Sequence, residues 1–229
     1  MKKILTMAVA AMMATANANA QFEQGTWSLQ PMIGGGAATL TNADDVYLDL
    51  GNTKIANQMT AAGLTGVELE YQFAEKMSVA AGLNLSIQGT GWEDFRQDGV
   101  KYENPRAELS YVKVPLLFNY YFAKGWAVKA GVQLGFMVDA DIKTHIETTS
   151  EMLGNKRDVT IDYAYDMKDD FEKFDFSIPI GIAYQFRKPW VIGAQYQLGL
   201  TKVNKHSGDG IKDMKNSVFM LTFGYKFAL

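Results

Sequence analysis

The sequence predicts an all-β fold: an eight-stranded antiparallel up-and-down transmembrane β-barrel built from residues 21–229 as one domain. Three observations carry this. Apolar residues alternate with small or polar ones through eight segments. The links between the segments are short and long by turns. The tripeptide Tyr-x-Phe closes four segments, at Tyr71–Phe73, Tyr120–Phe122, Tyr184–Phe186 and Tyr225–Phe227.

The first twenty residues stand apart. Lys2 and Lys3 precede the apolar run Ile4–Ala16, and Ala18-Asn19-Ala20 supplies a small-x-small exit, the order of features in a secretory signal peptide. Residues 1–20 are therefore expected to be a leader and Gln21 the first residue of the mature chain. The sequence contains no cysteine, which excludes a disulfide framework and a lipid-bearing thiol. Its net charge of −3 becomes −5 without Lys2 and Lys3, so no basic footprint for nucleic acid exists. After the leader there is no apolar run long enough for a spanning helix. A membrane protein of this sequence has to be a closed barrel.

The first segment, Trp27–Ala37, is blurred by Pro31 and by Gly34–Gly36. Leu64–Phe73, Met77–Gln88, Leu109–Phe122, Trp126–Asp139, Phe174–Phe186, Trp190–Thr201 and Val218–Phe227 are clearer. Period-two geometry sorts each into two faces. One face, exemplified by Val112, Val114, Leu116, Phe118, Tyr120 and Phe122, carries no charge in any segment. The other holds Glu68, Glu70, Asn84, Gln88, Lys113, Asn119, Lys129, Gln133, Asp175, Gln185, Gln195, Gln197 and Lys226, interleaved with Gly66, Gly82, Gly131, Gly135, Gly181, Gly193, Gly199 and Gly224.

The glycines choose between a soluble barrel and a membrane barrel. On a water-facing strand each costs backbone entropy and packs nothing, whereas the narrow lumen of an eight-stranded barrel needs small residues between large ones. The connections agree. Those after the second, fourth and sixth segments are only a few residues, while the others run through Thr41–Gly63, Gly89–Glu108, Ala140–Lys173 and Lys202–Ser217. Tight turns on one side and long loops on the other are the asymmetry of bacterial outer-membrane barrels. All four Tyr-x-Phe tripeptides then end strands descending to the periplasm, and Trp126 and Trp190 start strands leaving it. They are expected to form an interfacial aromatic girdle.

The segments YVKVPLLFNYYF (Tyr111–Phe122) and FDFSIPIGIAYQF (Phe174–Phe186) resemble the fourth and sixth strands of the small outer-membrane β-barrel family that includes PorT-like proteins. AQYQLGLTKV (Ala194–Val203) and the closing VFMLTFGYKF are similar to its last two strands. The resemblance implies an outer-membrane fold handled by the barrel assembly machinery, with Ala228 and Leu229 a departure beyond the final aromatic; it implies no single activity.

The inward charges balance: Glu68, Glu70 and Asp175 against Lys113, Lys129 and Lys226. Buried charges need partners, so a packed polar plug is expected. Pro115 and Pro179, on the same face, are expected to mark bulges or bends. His145 and His206, the two histidines, fall in expected loops. His206 adjoins Ser207 and Asp209, but sequence adjacency builds no triad. DMKDD (Asp166–Asp170) lacks the spacing of a calcium loop, and no phosphate loop, Cys/His metal pattern or nucleotide fingerprint occurs. The sequence thus nominates no catalytic, metal or cofactor-binding residue and no cofactor. VTIDYAY (Val159–Tyr165) alternates and extends the strand pattern above the membrane.

The reading is a monomeric, non-enzymatic outer-membrane barrel with a packed lumen, in contact with outer-membrane lipid and meeting an extracellular ligand or protein through its long loops. A narrow porin-like channel is the alternative, followed by a barrel-embedded envelope enzyme and a soluble lipocalin-like carrier. A protease site inserted near Asn155 should be cut on intact cells, while one beside Lys76 should be protected until the outer membrane is breached. The opposite pattern would invert the assigned orientation.

Overall fold

Alternation and turn chemistry produce twelve strands among the described residues: β1 (Trp27–Leu40), β2 (Asn57–Gln58), β3 (Thr60–Ala74), β4 (Met77–Trp92), β5 (Phe95–Gln97), β6 (Val100–Ala123), β7 (Trp126–Met152), β8 (Asn155–Asp166), β9 (Phe174–Phe186), β10 (Trp190–Gly199), β11 (Asn216–Tyr225) and β12 (Phe227–Ala228). The computed structural model describes residues 22–43, 55–97, 100–152, 155–186, 189–205 and 212–229, with backbone alone over 147–160. The expected leader lies outside the described residues.

Eight of these strands close a ring, in the order β1, β3, β4, β6, β7, β9, β10, β11, with every neighbouring pair antiparallel. β11 returns to β1 from Met32 opposite Gly224 to Leu40 opposite Asn216. The fold is therefore an eight-stranded antiparallel barrel, and all eight segments read from the sequence are its staves. On the outer side the strands run further than the alternation suggested. β6 and β7 rise together well past the lipid-facing band, and β5 and β8 join them. The expected loops Gly89–Glu108 and Ala140–Lys173 are thus largely sheet.

Exposure decides which face meets which medium. Leu85 is 57% exposed and Leu221 55%, whereas Gln88 and Gln133 are 0%. A soluble protein shows the reverse, so the apolar face is the lipid face. The aromatic girdle is present at the periplasmic end. Trp126 lies against Tyr184 at 4.6 Å, Trp27 against Tyr71 at 4.7 Å, and Trp190 between Tyr225 at 5.0 Å and Phe223 at 5.1 Å.

Inside, glycine makes room for the side chains opposite it. A Cβ on Gly224 would come 2.7 Å from Gln30 Nε2, and one on Gly193 2.6 Å from Thr222 Oγ1. Gly125, with φ of 76°, supplies the left-handed residue of the β6–β7 turn.

The prolines correct an expectation. Pro115 and Pro179 mark no bulge: the register on either side of each is continuous. The β4–β6 ladder lapses between the pairs Ala81↔Leu116 and Asn84↔Lys113, leaving Gly82 opposite Pro115. The β7–β9 ladder lapses between Ala130↔Ile180 and Gln133↔Ser177, leaving Gly131 opposite Pro179. Each proline removes one donor, and Gly82 leaves space for the Pro115 ring, since a Cβ there would come 2.8 Å from the proline Cγ. The register shifts occur elsewhere, at Gln72/Ala74, Glu103/Arg106, Ser110/Tyr111 and Tyr121/Ala123.

Leu134 faces lipid in register with Val114 and Phe176, beside inward Gln133. Leu134→Arg should impair stable insertion, at a cost of about 2–4 kcal/mol for arginine at mid-bilayer depth. Gln133→Arg should be better tolerated. Heat-modifiable gel mobility in detergent measures both, and equal loss in the two variants would argue against the assigned faces.

Candidate functional site: a closed lumen beneath an extracellular sheet

The tripeptides that build the girdle also close the lumen. Alternation sends the outer two residues to lipid and the middle one inward, and Gln72, Tyr121, Gln185 and Lys226 are all buried. Their backbone N–H groups repeat one bond. Gln72 donates to the Thr26 carbonyl (3.0 Å), Tyr121 to Lys76 (2.8 Å), Gln185 to Gly125 (2.8 Å) and Lys226 to Pro189 (2.7 Å). Each descending strand is thereby tied to the residue or turn leading into its neighbour.

Among the described residues, four of the six inward charges pair as expected, Glu70 with Lys226 and Glu68 with Lys129, whereas Lys113 and Asp175 form no ion pair with each other and bond carboxamides instead. Lys226 Nζ lies 2.8 Å from Glu70 Oε2 and donates to the Tyr121 hydroxyl at 2.9 Å. Glu70 also accepts from Ser78 at 2.7 Å and from Tyr121. Lys129 reaches Glu68 at 2.5 Å. Nearer the outer end, Lys113 donates to the side-chain carbonyls of Gln88 and Gln197, the latter at 2.7 Å, and Asp175 accepts from Asn216 at 2.8 Å. Among the described residues, two spaces within the lumen, one beside Glu68 and Lys129 and one beside Glu70 and Lys226, have volumes of about 30 Å³ and about 20 Å³, room for one or two waters each.

Above Lys113 the lumen turns apolar. Leu40, Leu109, Tyr111, Met137, Ala140, Val203 and Met214 form a buried cluster, with Phe171 packed against it. Two loops cross the mouth to deliver the last of these. Glu172 N donates to the Val203 carbonyl at 2.8 Å, Val203 N to Met214 at 2.8 Å, and Lys205 N to Asp170 at 3.0 Å. Part of the loop length expected to be free for binding is thus a lid on the barrel. The inward positions Leu109, Tyr111 and Met137, grouped at the outer ends of their strands, were the available sequence signal.

Over this lid stands the sheet β5–β6–β7–β8. Its two faces differ. Ala107, on the lumen side of β6, pairs with Ile142, which pairs with Tyr165. Two rows higher, past Thr144 opposite Tyr163, Phe95, Tyr102, Ile146 and Ile161 follow each other across four strands. The opposite face is charged: Glu103, His145 and Asp162 form one row, Arg106 and Lys143 another.

Glu108 lies on the charged side, above Val112, where the lipid-facing apolar run of β6 stops. Partial burial raises its pKa, but hydrogen bonds from Lys143 (2.5 Å) and Arg106 (2.7 Å), and their charges, outweigh this and hold the carboxyl below its ordinary value. The ionised form contributes stability above the ordinary carboxylate pKa, and the contribution is lost as pH falls through the lowered value.

His145 belongs to β7 rather than to a loop, with Nδ1 2.5 Å from Asp162 Oδ1. His206, Ser207 and Asp209 lie outside the described residues. Within DMKDD the Asp166 carboxylate serves local structure, its Oδ1 accepting from Lys168 N at 2.9 Å, and the main-chain carbonyl of Asp169 accepts from Lys205 Nζ at 2.6 Å.

Comparison with protein families matches residues 17–205 to the outer membrane protein beta-barrel domain. The chain belongs to that family. It is accordingly an outer-membrane protein. No curated protein matches it. Among solved structures it is similar to Ail, the attachment invasion locus protein of Yersinia pestis, in complex with the heparin analogue sucrose octasulfate. That match has 13% identity and a TM-score of 0.44, over 90% of this chain and 100% of that one. Neisserial surface protein A (NspA) matches at 10% identity and a TM-score of 0.44, over 88% and 97%. OprG of Pseudomonas aeruginosa matches at 14% and 0.43, over 93% and 100%.

Within this outer-membrane barrel, Lys226→Met strands the Glu70 carboxylate among buried side chains. It should destabilise the protein by about 3–5 kcal/mol, the cost of breaking a buried pair. Lys129→Met should cost less, because Lys129 is 15% exposed against 5% for Lys226. Urea midpoints in lipid measure both, and an unchanged Lys226→Met midpoint would mean the pair does not hold the barrel together.

Proposed function

We propose that the protein is a closed, non-conducting barrel whose biological role is carried by its extracellular sheet, which binds a ligand or partner at the cell surface. The carrying observation is the double closure of the lumen, by Glu70–Lys226–Tyr121 toward the periplasm and by the apolar lid at the outer mouth. With its interior filled, the barrel is a support, and a rigid scaffold commonly places binding on what projects from it. In this reading residues 1–20 direct export, the barrel assembly machinery inserts the chain as a monomer, and no residue is assigned to catalysis. Purified protein in planar bilayers should give no unitary current steps across the working voltage range. Reproducible steps from the wild-type barrel would replace this reading with that of a narrow channel.

A further inference from the structure

Four aromatic side chains from four strands meet at one cleft of the extracellular sheet: Trp92 of β4, Phe95 of β5, Tyr102 of β6 and Tyr163 of β8, with Ile142 and Ile146 of β7 between them. The cleft has a volume of about 470 Å³, within the roughly 300–1,000 Å³ of small-molecule sites. The rings of Phe95 and Tyr102 are stacked on each other, 4.6 Å between centroids and 9° from parallel, so each covers one face of its neighbour and a planar ligand can extend the stack on a remaining face. Among the described residues no charged side chain lines it. Two of its polar groups are already engaged. The Thr144 hydroxyl donates to the Glu103 carbonyl at 3.2 Å, and the Trp92 indole N–H donates to Ala43 at 3.1 Å. The charges of these strands lie on the opposite face, in the rows of Glu103, His145 and Asp162 and of Arg106 and Lys143.

We propose that this cleft is a binding site for a small, uncharged, planar molecule, an aromatic or fused-ring compound. The inference rests on the extracellular sheet being the binding surface. A charged ligand would give up its hydration for a wall that offers no counter-charge, and a ligand rich in polar groups would find few partners. A flat ring gives up little and gains offset stacking against the Phe95–Tyr102 wall.

The test uses the full chain in lipid nanodiscs, with labelled isoleucine methyls followed by NMR. Indole is the probe and indole-3-acetate its charged counterpart. Indole should shift the Ile142 and Ile146 methyls saturably, while Ile180 and Ile182 in the lipid band drift without saturating. Indole-3-acetate should bind at least about tenfold more weakly. Tyr102→Asp should weaken indole by about tenfold. Ile146→Trp, which fills the cleft and keeps the sheet face apolar, should give the same loss should the first variant disturb folding. Unsaturable shifts at Ile142 that track Ile180, or equal affinity for the two probes, would overturn the proposal. Current steps in planar bilayers would overturn the closed-scaffold reading and leave the indole shifts intact. Absent shifts in a non-conducting barrel would overturn the cleft alone.

Discussion

Closure of the sheet is the constraint from which the other features follow. In lipid no water is available to a strand edge, so every backbone donor and acceptor at membrane depth has to find its partner within the chain. The β1–β11 seam meets that requirement by joining residues 32–40 to residues 216–224, the first and last staves of the barrel. Closing with eight strands fixes a small circumference. A small circumference leaves the interior no room for a water column, so the inward side chains have to fit each other. The glycines at Gly193 and Gly224 stand where a neighbour's side chain already occupies the space. The same requirement governs the prolines, whose missing donors are tolerated as single lapses in ladders that keep their register on both sides.

The interior that results is layered. Toward the periplasm, carboxylates and ammonium groups neutralise one another; in the middle, carboxamides and Lys113 share hydrogen bonds; at the outer mouth, leucine, methionine and valine exclude water. The apolar layer at the outer mouth continues upward into one face of the projecting sheet through Ala107, Ile142 and Tyr165. The lid and the aromatic cleft are thus parts of one apolar surface, begun inside the barrel and finished outside it. The charged face of that sheet prolongs the lipid-facing wall, where water and headgroups begin.

Much of this was legible in the sequence because alternation has an unambiguous period. It gave the eight staves, both faces of each, and the heights of Glu70, Lys129 and Lys226. It could not choose between Lys129 and Lys226 as the partner of Glu70, because period and height say nothing of position around the ring. Strand ends were missed for a related reason. Above the membrane both faces are free to vary, so the alternation of β6 and β7 weakens although their pairing continues. Val159–Tyr165 kept its period and was found, as part of β8. The bulge half of the proline expectation failed because a missing donor was equated with a slipped register, whereas at Pro115 the facing Gly82 leaves room for the ring in place. The lid was visible only as inward apolar residues grouped at the outer ends of their strands. The cleft gathers residues from five strands, which no local pattern brings together.

The Glu70–Lys226 pair joins residues 156 apart in sequence, one on the second stave and the other just past the last. Until the final strand arrives, that carboxylate faces an unfinished interior without its main counter-ion. The buried pair is therefore complete only in the closed barrel, so closure and neutralisation of that carboxylate by Lys226 coincide. The tripeptide Tyr225-Lys226-Phe227 acts as a clasp: its rings anchor at the membrane surface while its lysine completes a circuit opened more than a hundred residues earlier. Truncation at this end would do more than shorten a strand, since it would leave the chain unable to signal to itself that insertion is finished.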